Sequence, residues 1–502
     1  MDVKVLYRLT SFNINKYSHM KHLSKLIAAF AIITVVLSSC TNFDEMNTDP
    51  TRLTKANPGT LLNPILYGMT VYNWSRYNDY TFPLMQGTVS TSSISGVGWY
   101  NIQDAAGDGT WSNYYKWLTN IREMEQQAIT LNEPNYRAIA MTLRSWIYQL
   151  TADAFGDVPM SEACRGSEGI LTPKFDTQLE VYKQIIVDLD SANTLFNTAA
   201  GLKYNADGEL LYGTNATVTS GVSAGIVKWK KLCNSLRMRV LLRSLSVTDL
   251  DSKTKLADML ANPIKYPVFE SNADAALLSI SGVYPQQAPL TRPQDFTAYI
   301  YLSEFFINNL KAWNDPRLAL YTTQVTNGTV KSYIGLPSGY AIAPSINASQ
   351  PKQSLAIAPM KLILMSYSEL ELLKAEYDQR FGTSINAAIH YKNGVTAAIE
   401  QWGGVVPATY FTSVAVAYNG TLEQLMTQKY YALFFCDYQA WYEYNRTGYP
   451  KVPRGVGVSE GKTMPNRFKY PLVLQRTNLN SYQAAKANMG GDEFNKKLIW
   501  QQ

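Results

Sequence analysis

Residues 134–159 read PNYRAIAMTLRSWIYQLTADAFGDVP, and the fold class turns on them. Tyr136, Ile139, Ala140, Leu143, Ile147 and Leu150 recur at steps of three and four, the spacing of one face of an α-helix. The period returns on either side of a series of turns. Leu179, Tyr182, Ile186 and Leu189 carry it, with Asp176 placed to cap, and so do Trp229, Cys233, Leu236 and Val240. Ser368-Glu369-Leu370-Glu371 reads as a capping box opening a helix through Leu372, Leu373 and Ala375. Residues 387–401 and 423–435 also have a helical pattern. Between these blocks, residues 253–360 are rich in Pro, Asn and Tyr, with weak strand runs such as 328–334. No Pro/Gly/Ser linker divides the chain. The expectation is a mainly α protein with one domain over residues 61–502 and a long, irregular, loop-rich insertion at about 253–360. Short helices paired by turns are tetratricopeptide-like, although no fixed 34-residue period is visible. Such pairs bury a face only by stacking on their neighbours, which makes a scaffold rather than a reaction centre.

Composition agrees with a large core. The chain has 502 residues, 46% hydrophobic and 17% charged, too apolar and too weakly charged for a disordered chain. The N-terminus has its own logic. Lys21, His22 and Lys25 precede the apolar run 26–37, and Leu37-Ser38-Ser39-Cys40 follows. That run is too short to span a bilayer, which takes about 20 residues. A basic start, a short apolar stretch and small residues before a cysteine describe a secretory signal resembling a bacterial lipobox. Residues 1–39 are therefore expected to be removed, with Met20 the true start of the signal. Cys40 is the expected lipidation site, and residues 40–60 form a tether. Lys4, Arg8, Lys16, Lys21 and Lys25, against Asp2, fall in the leader, so processing brings the formal charge of +6 close to neutral. A nucleic-acid partner loses its support. Cys164, Cys233 and Cys436 are odd in number and widely spaced, without a disulfide framework or zinc spacing.

Catalytic patterns fare poorly. Gly221-Val222-Ser223-Ala224-Gly225 matches G-x-S-x-G, but a nucleophile elbow needs a buried strand before it and a histidine partner. Only Thr217-Val218-Thr219 precedes it, and His390 is the one histidine beyond the leader. No carboxylate pair stands out for glycosidase chemistry. Asp104 to Gly109 has a faint calcium-loop look, but Tyr115 occupies the place of the required bidentate Glu. Lys228, Lys230, Lys231, Arg237, Arg239 and Arg243 make a basic helix, read as a solvated or salt-bridged face. The sequence thus implies no catalytic residue, no metal and no cofactor.

The positive signal is aromatic. Eleven aromatic residues fall between Tyr72 and Trp117. Tyr72, Trp74, Tyr77, Trp99 and Tyr100 surround the Gly/Ser/Thr-rich stretch 87–98, where loops are expected. Trp and Tyr rings stack on the C–H faces of sugars or on peptide groups. Trp99, Tyr100 and Trp74 are the candidate ligand contacts, with Asn101 beside them as a polar partner.

Several blocks, in order along the chain, resemble one family. Phe43-Asp44-Glu45-Met46-Asn47-Thr48-Asp49-Pro50 resembles the mature N-terminus of SusD/RagB-type outer-membrane lipoproteins of Bacteroidota. Asp153 to Pro159 is similar to that family's first helical repeat and its FGDVP turn, and Trp229 to Arg237 to its third repeat. Asn314 to Leu318 and the set Ala388, Tyr391, Gly394 and Val395 are similar to later blocks. Arg446-Thr447-Gly448-Tyr449-Pro450 and Arg467-Phe468-Lys469-Tyr470-Pro471 resemble its RRTGYP and RxxYP signatures. Tyr377, Tyr444-Asn445 and Leu474-Gln475 depart from the family pattern. Asp44 and Glu45, just after Cys40, resemble the surface-export signal of such lipoproteins.

The resemblance implies a SusD-like helical-repeat fold and no enzymatic activity. It implies a surface-exposed, lipid-anchored outer-membrane protein that binds a nutrient, an oligosaccharide or, as in the RagB branch, a peptide. Its ligand-facing aromatics fall in the same pre-helix region. The implied partner is a SusC-like TonB-dependent transporter.

Overall fold

The Pro134–Phe155 helix is buried on nearly every side, only Pro134, Arg137 and Arg144 escaping full burial. The one-sided periodicity of its sequence understated this, because helices pack against it from both directions. The computed structural model describes residues 56–501 apart from 94 and 346; the expected signal, Cys40 and most of the tether lie outside the described residues. Asp108–Thr130, Pro134–Phe155, Gln178–Leu195 and Ala224–Arg243 pack consecutively as antiparallel neighbours. A second series is formed by Tyr367–Phe381, Ser384–Glu400, Leu422–Ala432 and Gln439–Thr447. The protein is mainly α, in the helical-repeat arrangement that its patterning predicts.

Two caps differ from expectation. Thr177, not Asp176, caps Gln178–Leu195, in a reciprocal capping box with Glu180. Asp176 instead accepts bonds from the Met160 and Ser161 amides, at 2.8 and 2.7 Å. Ser366, not Ser368, caps Tyr367–Phe381, through the Glu369 amide. In both places several short polar side chains compete for one helix start, and the turn geometry selects among them.

The basic helix Ala224–Arg243 faces inward at its C-terminal half. Arg239 forks onto Glu369 at 2.6 Å through each of two nitrogens, joining the first helical series to the second. Arg243 reaches Asp153 at 2.6 Å and Glu443 at 2.7 Å. All five side chains are buried.

The sequence blocks at the C-terminus act as fasteners. The Phe468 amide donates to the Ala154 carbonyl at 2.7 Å, and the Tyr470 hydroxyl to the Asp157 carbonyl at 2.7 Å. These bonds tie the RFKYP block to the FGDVP turn, where Gly156 adopts φ +87° and a Cβ would press on Met489. Arg446 grips both oxygens of Glu376 at 2.7 Å.

The stretch 253–360 is more ordered than its composition suggested. It carries Glu304–Ala312 and Arg317–Tyr321 as helices, and its strands form small antiparallel pairs. Strand β1 (Thr88–Ser90) pairs with β3 (Ile300–Leu302), with Ser90 opposite Ile300. Strand β2 (Ala276–Ile280) pairs with β6 (Met360–Met365) and so brings the two ends of the stretch together. Strands β4 (Val325–Asn327) and β5 (Val330–Ser332) form a hairpin turned at Gly328, φ +61°.

Candidate functional site

A proline starts the site. Pro83 has no N–H and its ring crowds the carbonyl four residues back, so the preceding turn widens. Tyr77–Thr81 is a π-turn, in which the Phe82 amide reaches five residues back to Tyr77. Such turns recur at functional positions because they re-aim side chains. Here Asn78 and Asp79 line a cavity of about 330 Å³ together with Ser90, Trp99, Asp295 and Ile300. The β1–β3 pairing is what brings Asp295 and Ile300 to a loop two hundred residues earlier in the chain.

Trp99, Tyr100 and Asn101 lie together, each on a different cavity. Trp99 is 6% exposed; its indole N–H donates to the Tyr340 carbonyl at 2.9 Å, and the two rings meet edge-on at 5.0 Å. Tyr100 has φ +54°, a left-handed residue that reverses the chain. It lines a polar cavity of about 420 Å³ with Lys462, Lys469 and Glu493. Burial pushes its phenol up to about 12. Asn101 lines a third cavity, of about 470 Å³. Its amide donates to the Ser95 hydroxyl at 2.9 Å, and its carbonyl accepts from Lys462 at 3.3 Å. Asp79, Ser95 and Val97 belong to the first and third cavities, and Ile102 to the second and third. The three adjoin one another around one loop.

Trp74 is elsewhere, which corrects its assignment as a ligand contact. It is 1% exposed and packs on Phe296 and Phe435, with centroids 6.1 and 5.7 Å away. Its position on the helix Pro58–Arg76 turns the ring into the core, leaving no face for a ligand. Conversely, Asn78, Asp79, Asp295 and Tyr299 were not found from sequence. Tyr299 is 66% exposed, with φ +59°, between Ala298 and Ile300, which both line the Trp99 cavity. The Thr91 amide donates to its carbonyl at 2.9 Å. Only an unusual density of Tyr in 284–301 marks this segment, and nothing local places it beside residues 88–99.

The chemistry of the site is that of contact. Flat rings lie beside amide, hydroxyl and carboxylate groups, and the charges largely pair. Asp295 binds Arg292 at 2.7 Å, and Lys469 bridges Asp104 at 3.0 Å and Glu493 at 3.4 Å. Asp104, in the stretch with a calcium-loop look, thus faces an ammonium group. Among the described residues no group of three His, Cys, Asp or Glu side chains is arranged to hold a metal. Ser223 sits at the start of the Ala224–Arg243 helix after an isolated bridge, Thr219 to Val222, without the strand an elbow needs. His390 is bound to Glu371 at 2.8 Å.

A helical-repeat scaffold carrying a ring-lined groove on its loops defines a class of binding protein. The chain belongs to the SusD-like family: the family model described as starch-binding, associating with the outer membrane, matches residues 50–471. Solved structures agree. A chitin-binding protein is 26% identical, with a TM-score of 0.75 over 89% of this chain and 100% of that one. A SusD homologue from Bacteroides fragilis is 24% identical, with a TM-score of 0.76 over the same shares. A SusD-like protein from Bacteroides thetaiotaomicron is 19% identical, with a TM-score of 0.70 over 88% of this chain and 98% of that one. No curated protein matches the sequence.

Proposed function

We propose that this protein captures an oligosaccharide at the outer-membrane surface and passes it, unmodified, to a SusC-like TonB-dependent transporter. The observation that carries the reading is the set of adjoining cavities, together one groove, around Trp99, Tyr100 and Asn101. Beside it the exposed Tyr299 offers a ring for the C–H faces of a sugar, and amide, hydroxyl and carboxylate groups line it for the hydroxyls. The family's association with starch and the outer membrane supports it, as does the chitin-binding relative. Attachment through a lipid on Cys40 fits a chain in which no helix among the described residues is long and apolar enough to cross a membrane. A tethered binder would concentrate ligand beside a separate pore.

Calorimetric titration of the protein with maltoheptaose, N-acetylchitohexaose and a tripeptide pool tests the ligand class. Saturable sugar binding without cleavage products is the expected result. Binding of peptide alone would transfer the protein to peptide uptake, and release of shorter sugars would make it an enzyme. Extraction in mild detergent should recover a barrel protein with it; recovery of the lipoprotein alone would remove the transporter from the proposal.

A further inference from the structure

Tyr340, whose carbonyl receives the Trp99 indole N–H, also lines a further cavity of about 660 Å³, within the range of small-molecule sites. Its walls differ in kind from the groove around Trp99. Phe305, Pro337, Tyr340 and Pro453 offer flat apolar faces, and Ile342 and Val456 stand at the rim. These last two are 85% and 92% exposed, large apolar side chains on which the protein packs nothing.

The walls are rigidly built. Gly455 and Gly457 press so closely on residues 338–341 that a Cβ on either would overlap the Ser338, Gly339 or Tyr340 carbonyl. The Gly457 amide donates to Gly339 at 2.8 Å, and Arg454 holds the Ser459 carbonyl at 2.8 Å. The cavity is therefore preformed. Besides the exposed Glu304 carboxylate, two polar groups on it make no hydrogen bond or ion pair among the described residues. The Ser338 hydroxyl is more than nine-tenths buried and has no hydrogen-bond partner in the protein. Lys451 lies over the Tyr449 ring at 4.5 Å and makes no ion pair among the described residues.

A bare sugar could meet Glu304, Lys451 and Arg454 with some of its hydroxyls but would leave the others unpaired against the apolar faces. An aromatic group fits: it gains area against Phe305, Ile342, Val456 and the two prolines, and a polar atom on it meets Lys451. Tyr340 stands between this cavity and the one at Trp99: its hydroxyl donates to the Ser90 carbonyl at 2.9 Å and its ring meets Trp99 edge-on at 5.0 Å. We infer that the cavity is a subsite for an aromatic substituent carried by the glycan bound at that groove. The inference rests on the glycan reading.

The experiment compares the 4-nitrophenyl glycosides of maltotriose and N-acetylchitotriose with the unsubstituted trisaccharides, by calorimetry on the whole mature protein. The double variant Ile342→Asp, Val456→Asp changes only exposed side chains, so folding should be retained. The expected result is at least ten-fold tighter binding of one aryl glycoside over its parent sugar. The double variant should erase that advantage and leave the parent sugar's affinity unchanged. Equal affinity for aryl and plain sugars, or an advantage that survives in the variant, overturns the inference. If neither sugar binds, the glycan reading fails by itself, and anilinonaphthalene sulfonate decides the cavity. Saturable fluorescence lost in the variant supports an aromatic site there; fluorescence indifferent to the variant overturns it.

Discussion

Tyr299→Ala should weaken sugar binding more than any change at Trp99, and the surface each ring offers gives the magnitude. Tyrosine exposes about 200 Å² when free, and Tyr299 keeps 66% of its surface accessible, so roughly 130 Å² is on offer. A pyranose on one face removes about half of that, and at about 25 cal/mol per Å² the gain is about 1.6 kcal/mol, or roughly 15-fold in Kd. Trp99 keeps 6%, about 15 Å², which is worth about 0.4 kcal/mol, or roughly twofold. Stability should show the reverse order. Alanine at 299 inherits a backbone conformation that tyrosine already adopts, and surface changes of this kind stay within about 0.5 kcal/mol. Trp99→Phe leaves the Tyr340 carbonyl without its donor, at a cost of about 1–3 kcal/mol. In a chain this long that is a fall of about 1–3 °C in Tm. Titration calorimetry with the glycan that binds, beside scanning calorimetry, measures both. If Tyr299→Ala binds like the parent while Trp99→Phe loses ten-fold at unchanged Tm, the exposure argument is refuted.

Cys40→Ala should move the protein from the membrane fraction to the soluble one; a variant that still partitions into detergent with membranes would disprove the lipid anchor. Glu369→Gln strands the buried Arg239 guanidinium and should cost about 3–5 kcal/mol by denaturant midpoint. The pair Arg239→Met, Glu369→Met should recover most of that loss, and equal loss in both variants would show that charge is not the cause. Burial alone would raise the Glu371 carboxyl, but the His390 hydrogen bond and the Lys374 charge hold it at about 2. Its unfolded value is about 4.3, so its stabilisation is complete above that pH and is lost as pH falls towards 2. Glu371→Gln should flatten the acid limb of urea midpoint against pH between these values, and an unchanged slope would assign the acid sensitivity elsewhere.

Much of the scaffold was readable because helical burial is periodic. Tyr136 to Leu150, Leu179 to Leu189 and Trp229 to Val240 all lie in helices where their spacing put them. Caps were less secure. Asp176 and Thr177 are adjacent and equally suited to a helix start, and only the approach of Met160 and Ser161 commits the aspartate to other amides. Arg239 and Arg243 were read as part of a solvated or salt-bridged face; they are salt-bridged and buried, and their partners Glu369, Asp153 and Glu443 are too remote in sequence to have been named. The candidate site divided in the same way. Trp99, Tyr100 and Asn101 were marked by a Gly/Ser/Thr loop beside aromatics, and that is where cavities open. Trp74 met the same criterion and is core, because composition does not say which side of a helix a ring takes.

The sequence by itself determined the helical scaffold, its order and the loop that bears the rings. These depend on interactions between residues a few positions apart, which periodicity and turn composition record. Only the tertiary structure decided which rings stand exposed beside the cavities. Tyr299 and Asp295 come to the Trp99 loop through the three-residue pairing of β1 with β3, and Tyr340 comes to it through the indole hydrogen bond and its own hydroxyl bond to the Ser90 carbonyl. Contacts that join segments two hundred residues apart leave no period in the chain. They are set by loop closure and by where the buried ion pairs allow the two helical series to meet.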